Sequence, residues 1–255
     1  MENEKFILGL DVSTSTVGIC LFNEDGKLME LNHVSPILKN EELSKQDILL
    51  DKCLLVINFL VSNYVPENIS EIILETPLIS SQQTDTAAML NYFGGIVYAS
   101  LRQHYKCKIT YITVDEARRF GLPELVGGKS KSLFGVLNGR LERKIISDYK
   151  KMIVLSLVAQ RYPDIVWLLN NNMAIDKKNF DRADSIVVVL GAKQKDSTWP
   201  STQQDIEQVI EFINKNIEYE KFCKTLSGNK EEKDKQKYNY LKTVFEIEKY
   251  LNVAL

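Results

Sequence analysis

Lys5-Phe6-Ile7-Leu8-Gly9-Leu10-Asp11-Val12-Ser13-Thr14-Ser15-Thr16-Val17-Gly18-Ile19-Cys20-Leu21-Phe22-Asn23 is the stretch that decides the fold. Lys5 to Leu10 is a short apolar run, which reads as a buried strand with Asp11 at its C-terminal end. A cluster of small hydroxyl residues follows, and Val17 to Asn23 is a second strand. Glu24-Asp25-Gly26-Lys27 then leads into a third at Leu28 to His33, because Asp-Gly between apolar runs is a strong hairpin signal. Three antiparallel strands therefore open the chain.

Working outward, apolar residues Leu43, Leu50, Leu54, Ile57 and Leu60 recur at helical spacing from about Glu41 to Tyr64, and Pro66 stops the helix. Glu71 to Leu74 is a fourth, β-branched strand ending in Glu75 before Pro77. Thr84 to Tyr105 reads as a helix, and Lys108 to Val114 as a fifth strand. The stretch from Arg118 to Lys151 reads as a loop feeding a helix that runs to Tyr162. A last core helix begins near Phe180. Pro200 marks a boundary, beyond which lie two amphipathic patterns separated by the charged run Lys230 to Lys237. The order implies an α/β fold, a mixed sheet of three antiparallel then two parallel strands flanked by helices. The expected organisation is a domain over 1–199 and a helical extension over 200–255.

Acids interrupt three otherwise apolar segments at matching ends. Asp11 ends the first strand and Glu75 the fourth, and in a sheet built hairpin-first these strands are parallel neighbours. Asp181 and Asp184, three apart at the start of a helix, share one helix face. Each has a bland reading alone: Asp11 caps a turn before Ser13, Glu75 is a surface acid, Asp181 is a helix N-cap, and Asp184 favours the helix dipole. Together they would repel one another and hold protons unless a cation sits among them. Mg²⁺ suits an all-oxygen set, and Mn²⁺ substitutes for it. Two such ions about 4 Å apart hydrolyse phosphodiesters by activating a water and stabilising the leaving oxygen.

These residues carry a resemblance. Ile7 to Gly18, an apolar strand ending in Gly-x-Asp with Gly18 seven positions after Asp11, resembles the first motif of the RuvC-like Holliday-junction resolvases. Ile72-Ile73-Leu74-Glu75 is similar to the family's second motif. Asp181-Arg182-Ala183-Asp184-Ser185 is similar to its closing D-x-A-D-[AS] helix. Order and spacing agree over about residues 5 to 193. The resemblance implies a ribonuclease-H-like fold, a homodimer and metal-dependent incision of four-way DNA junctions. It implies that Asp11 bridges two metals, Glu75 holds one, and Asp181 and Asp184 hold the other. It also implies a lysine at the scissile phosphate, for which Lys151 is the best match and Lys150 and Lys144 are rivals. One departure is that Leu78 and Ile79 stand where some relatives carry an aromatic wedge.

The segment Asp115 to Lys151 holds nine bases against five acids in a chain of net charge -2. Arg118, Arg119, Lys129, Lys131, Arg140, Arg143, Lys144 and Lys150 are therefore candidate contacts to the backbone of branched DNA, beside Lys151. The bland alternative is a solvated helix face. Gly127-Gly128-Lys129-Ser130 resembles the tail of a phosphate-binding P-loop, but Pro123 stands where that motif needs Gly.

Two rivals stay in view. A sugar-kinase or actin-like ATP-binding protein shares the opening motif and core fold, but its second nucleotide loops have no counterpart after Glu75. A non-catalytic junction-binding protein would keep the fold without needing all the acids.

The remaining composition narrows the setting. Cys20, Cys53, Cys107 and Cys223 are scattered, which fits neither a zinc site nor a disulfide framework and points to reduced thiols in a cytoplasmic protein. No apolar run approaches the roughly 20 residues of a membrane span. Ala87, Ala88, Gly94, Gly95 and Ala99 would let the helix over Thr84 to Tyr105 meet a second copy closely. The amphipathic patterns after Pro200 are the other candidate interface.

Overall fold

In the computed structural model the described residues are 4–38, 43–76, 85–123, 151, 154–155, 157–168 and 176–199, with a few positions beyond 221. The chain forms two compact units, one of residues 1–121 with 177–200 and one of 122–176 with 201–255. The first unit is discontinuous in sequence. That unit is interrupted by 122–176, which group with 201–255.

The first unit is built on β1 (Phe6–Val12), β2 (Val17–Asn23), β3 (Leu28–Val34), β4 (Ile69–Glu75) and β5 (Lys108–Ile112). These form one sheet of order β3-β2-β1-β4-β5. β1 pairs antiparallel with β2, and β2 antiparallel with β3. β1 pairs parallel with β4, and β4 parallel with β5. This is the expected mixed sheet, three antiparallel strands continued by two parallel ones. In the second unit, β6 (Val166–Trp167) and β7 (Asn252–Val253) make a short parallel pair that the sequence did not disclose.

Strand alternation divides the sheet's faces. Leu8, Leu10, Val17, Ile19, Ile72 and Leu74 point to one face, where α1 (Lys45–Asn63) and α2 (Asp85–His104) cover them. Their core partners are Leu49, Cys53, Val56, Ile57 and Leu60 from α1, and Phe93, Val97 and Leu101 from α2. The other face carries Gly9, Asp11, Cys20, Glu71, Ile73 and Glu75. Helix α4 (Lys178–Lys195) lies on it and buries almost every residue from Asn179 to Ala192.

Two sequence expectations change here. On α1, Leu50 and Leu54 are 45% and 51% exposed, and Leu43 is also exposed. The helix is apolar around most of its circumference, so two stripes satisfy the 3.6 period, and the core takes the one with Leu49, Cys53 and Val56. The helix starts at Lys45, not Glu41, because Ser44 caps it by accepting from the Asp47 amide at 3.2 Å. Second, the fifth strand ends at Ile112, and α3 (Val114–Gly121) follows where a loop was expected from Arg118. Thr113 and Glu116 form a capping box, the Glu116 amide donating to Thr113 Oγ1 at 3.2 Å and the Thr113 amide to Glu116 Oε2 at 3.3 Å.

Among the described residues Cys20, Cys53 and Cys107 are free thiols. Burial pushes the Cys20 thiol up to about 12, and it donates to the Ser185 carbonyl at 3.2 Å. No helix among the described residues is long and apolar enough to cross a membrane.

Candidate functional site

The acids of β1 and β4 meet by register. Leu10 pairs with Leu74 across the parallel strands, so Asp11 and Glu75 are the next residues on adjoining strands. Asp11 alternates with Gly9, and Glu75 with Ile73, so both belong to the face that α4 covers. Both are half-buried.

Two glycines bring α4 down onto this face. A Cβ on Gly9 would meet Cys20 Sγ at 2.6 Å and the Ser185 carbonyl at 2.9 Å. A Cβ on Gly18 would overlap the carbonyl of Asp181 and meet the Arg182 amide nitrogen at 2.9 Å. Gly18 is the antiparallel partner of Asp11. The first turn of α4 is thereby fixed beside the end of β1, with Asp181 next to the Asp11 pair. The spacing of Gly18 from Asp11, read in the sequence as a motif, is a steric requirement for this approach.

The residues between the two α4 acids anchor the helix. Arg182 donates from Nη1 to Asn179 Oδ1 at 2.8 Å and from Nη2 to the Leu31 carbonyl of β3 at 3.0 Å. Burial brings its pKa down to about 10. Ala183 is fully buried, and Ser185 Oγ donates to the Arg182 carbonyl at 2.7 Å. At the far end of α4, Lys193 hydrogen-bonds and ion-pairs with Glu71 of β4. Burial pushes the Glu71 carboxyl up, but hydrogen bonds from Lys193 and Thr110 outweigh it and hold the group below its ordinary value. α4 thus runs antiparallel to β1 and β4, with its acidic start at their C-terminal ends.

Asp184 faces α3. Its Oδ1 lies 3.6 Å from Nη2 of Arg118, and its residue exposure is only 9%. Arg118 was expected among the DNA contacts; here its side chain pairs with Asp184, while Arg119 beside it is exposed. Sequence reasoning missed this placement although the signal was present. The Thr113-x-x-Glu116 box starts a helix that fixes which face Arg118 occupies. Another unforeseen cation is Lys52 of α1, whose Nζ donates to the Thr14 carbonyl in the β1–β2 turn at 2.8 Å. That turn is ordered by Ser13, whose Oγ accepts from the Thr16 amide at 3.1 Å.

The four carboxylates are an all-oxygen set at one end of one sheet, which in kind suits a hard divalent cation. Among the described residues, however, no three His, Cys, Asp or Glu side chains stand together closely enough to hold a metal ion. Lys151 belongs to the second unit. Lys129, Lys131, Arg140, Arg143, Lys144 and Lys150, like Leu78 and Ile79, lie outside the described residues.

No protein-family model matches the chain, and no curated protein matches it. Solved structures to which the chain is similar include the RuvC resolvase of Thermus thermophilus bound to a Holliday-junction substrate. That likeness has 9% identity and a TM-score of 0.45, covering 76% of this chain and 97% of that one. The yeast mitochondrial Holliday-junction resolvase Ydc2 gives 16% identity and a TM-score of 0.45, covering 76% of this chain and 82% of that one. A sugar kinase of Cytophaga hutchinsonii gives 15% identity and a TM-score of 0.28, covering 46% of this chain and 38% of that one.

Proposed function

We propose that this chain is a divalent-metal-dependent endonuclease that cuts branched DNA, resolving four-way junctions by paired incisions from a homodimer. The observation that carries the reading is the meeting of Asp11, Glu75 and the first turn of α4 at one end of the sheet. That arrangement is enforced by the β1–β4 register and by the glycine contacts beneath α4. It agrees in order and spacing with the sequence motifs.

In this reading Asp11, Glu75, Asp181 and Asp184 hold Mg²⁺ or Mn²⁺. When bound, the metal supplies an activated water and charge for the leaving oxygen. The protein's own contribution is placement. Asp11 and Glu75 sit on a rigid sheet, Asp181 is fixed by its backbone against Gly18, and Asp184 is carried on a helix buried along its length. Lys151 contacts the scissile phosphate, and Arg119 with the bases from Lys129 to Lys150 grips the DNA backbone.

Paired incision needs two copies of a site that cuts one strand. Ala88, Tyr92, Gly95 and Ala99 are exposed along one side of α2, while Phe93, Val97 and Leu101 face the core. Of the small residues, Ala88, Gly95 and Ala99 are therefore not used to pack α2 on its own sheet, whereas Ala87 and Gly94 are half-buried; the exposed three support α2 as the dimer surface. The function is tested by offering the protein labelled four-way junction, linear duplex and RNA–DNA hybrid with Mg²⁺ or Mn²⁺. Metal-dependent symmetric nicking of the junction is expected; junction binding without cleavage would favour a non-catalytic role.

A further inference from the structure

Arg118 is not free to be an ordinary surface cation, because α3 is laid flush on α4. A Cβ on Gly191 would meet the Ala117 carbonyl oxygen at 2.6 Å, and one on Gly121 would meet the Val187 carbonyl oxygen at 2.9 Å. Asp184, Val187 and Gly191 recur at helical spacing on the side of α4 that faces α3. Ala117 lies in that contact and Arg118 follows it directly, so the guanidinium is delivered to Asp184 by two helices in backbone contact. The side chains of Arg118 and Asp184 are only 21% and 12% exposed, so water screens their attraction weakly.

We propose that Arg118 is a built-in counter-ion of Asp184, neutralising it until a divalent cation displaces it. The proposal rests on the reading of Asp184 as a metal ligand. A carboxylate this buried needs a cationic partner when no metal is present, and Asp181 three residues away offers only like charge. A guanidinium 3.6 Å from Oδ1 also opposes a second cation on the same group. Arg118 thus stabilises the metal-free protein and weakens metal binding there. It is a positioning residue acting through Asp184.

The test is calorimetric titration of the full chain with Mn²⁺, without DNA. Asp184→Asn should lose the binding that depends on this carboxylate. Arg118→Gln keeps hydrogen-bond donors but removes the charge, and should bind Mn²⁺ about three- to tenfold more tightly than wild type. Arg118→Lys retains the charge and should stay near wild type. Unchanged Mn²⁺ binding in Asp184→Asn would sink the ligand reading and the proposal with it. Weaker binding in Asp184→Asn, with unchanged or weaker binding in Arg118→Gln, would overturn the counter-ion alone. Wild-type protein gives a second readout that needs no variant to fold. The guanidinium NMR signal of Arg118 should move as Mg²⁺ saturates the protein, and a signal that stays still while Mg²⁺ binds contradicts the proposal.

Discussion

Gly18 of β2 and Asp181 of α4 touch through their backbones, so closely that no side-chain carbon fits between them. The contact holds the acidic start of α4 beside the strand pair that carries Asp11. Gly18→Ala should therefore push the helix off the sheet. The expected loss is about 1–3 kcal/mol or more, as for overpacked cores, read by urea unfolding. Gly95→Ala is the contrast within one chain, since a Cβ there meets nothing within 4 Å. In protein dilute enough to be monomeric it should stabilise by up to about 1 kcal/mol through helix propensity.

Glu71 gives the fold an acid-sensitive clamp. Its folded-state value lies below the ordinary 4.5, so its stabilising contribution is fully present above that value and is lost as pH falls through the depressed one. Glu71→Gln should cost about 1–3 kcal/mol at neutral pH, the scale for a broken buried hydrogen-bond partner. The variant should also unfold with a shallower dependence on pH below 4.5. Equal pH slopes in both proteins would remove Glu71 from the clamp.

Much of this was legible in the sequence. The Asp-Gly hairpin, the β-branched fourth strand and the Gly-x-Asp ending of the first were enough to order the sheet and place Asp11 and Glu75. The α1 core stripe was not legible, because Leu49-Leu50 and Cys53-Leu54-Leu55-Val56 leave two apolar registers that only tertiary packing separates. α3 was concealed because Val114 extends the β-branched run of β5, and its capping box was passed over. With α3 unread, Arg118 counted as one more base in a basic segment. Its pairing with Asp184 depends on a helix crossing that no local pattern announces.

The basic segment predicts a separable effect. Replacing Arg143, Lys144, Lys150 and Lys151 together should weaken DNA binding and flatten its salt dependence, by about 0.9 in log–log slope for each phosphate no longer neutralised. Lys151→Ala alone should lower turnover more than affinity. A fluorescence-anisotropy salt series, run beside a cleavage assay, checks both, and an unchanged slope would move the binding face elsewhere.

The proposed dimer would use the exposed side of α2. Gly95→Glu places a charge in open space, so the protein should keep its fold while sedimenting as a monomer and losing paired incision. A Gly95→Glu protein that remains dimeric would shift the interface to the residues beyond Pro200.

If the carboxylates at the end of the sheet perform the cleavage, Asp11→Asn should disable it. Purified away from any wild-type protein and assayed on labelled four-way junction with Mg²⁺, this variant should cut at least roughly a hundredfold more slowly, the scale for removing one preorganised electrostatic contact. Its junction affinity should stay close to wild type, because binding is carried by the basic residues. Cleavage by Asp11→Asn at the wild-type rate would mean that these carboxylates do not cut the DNA.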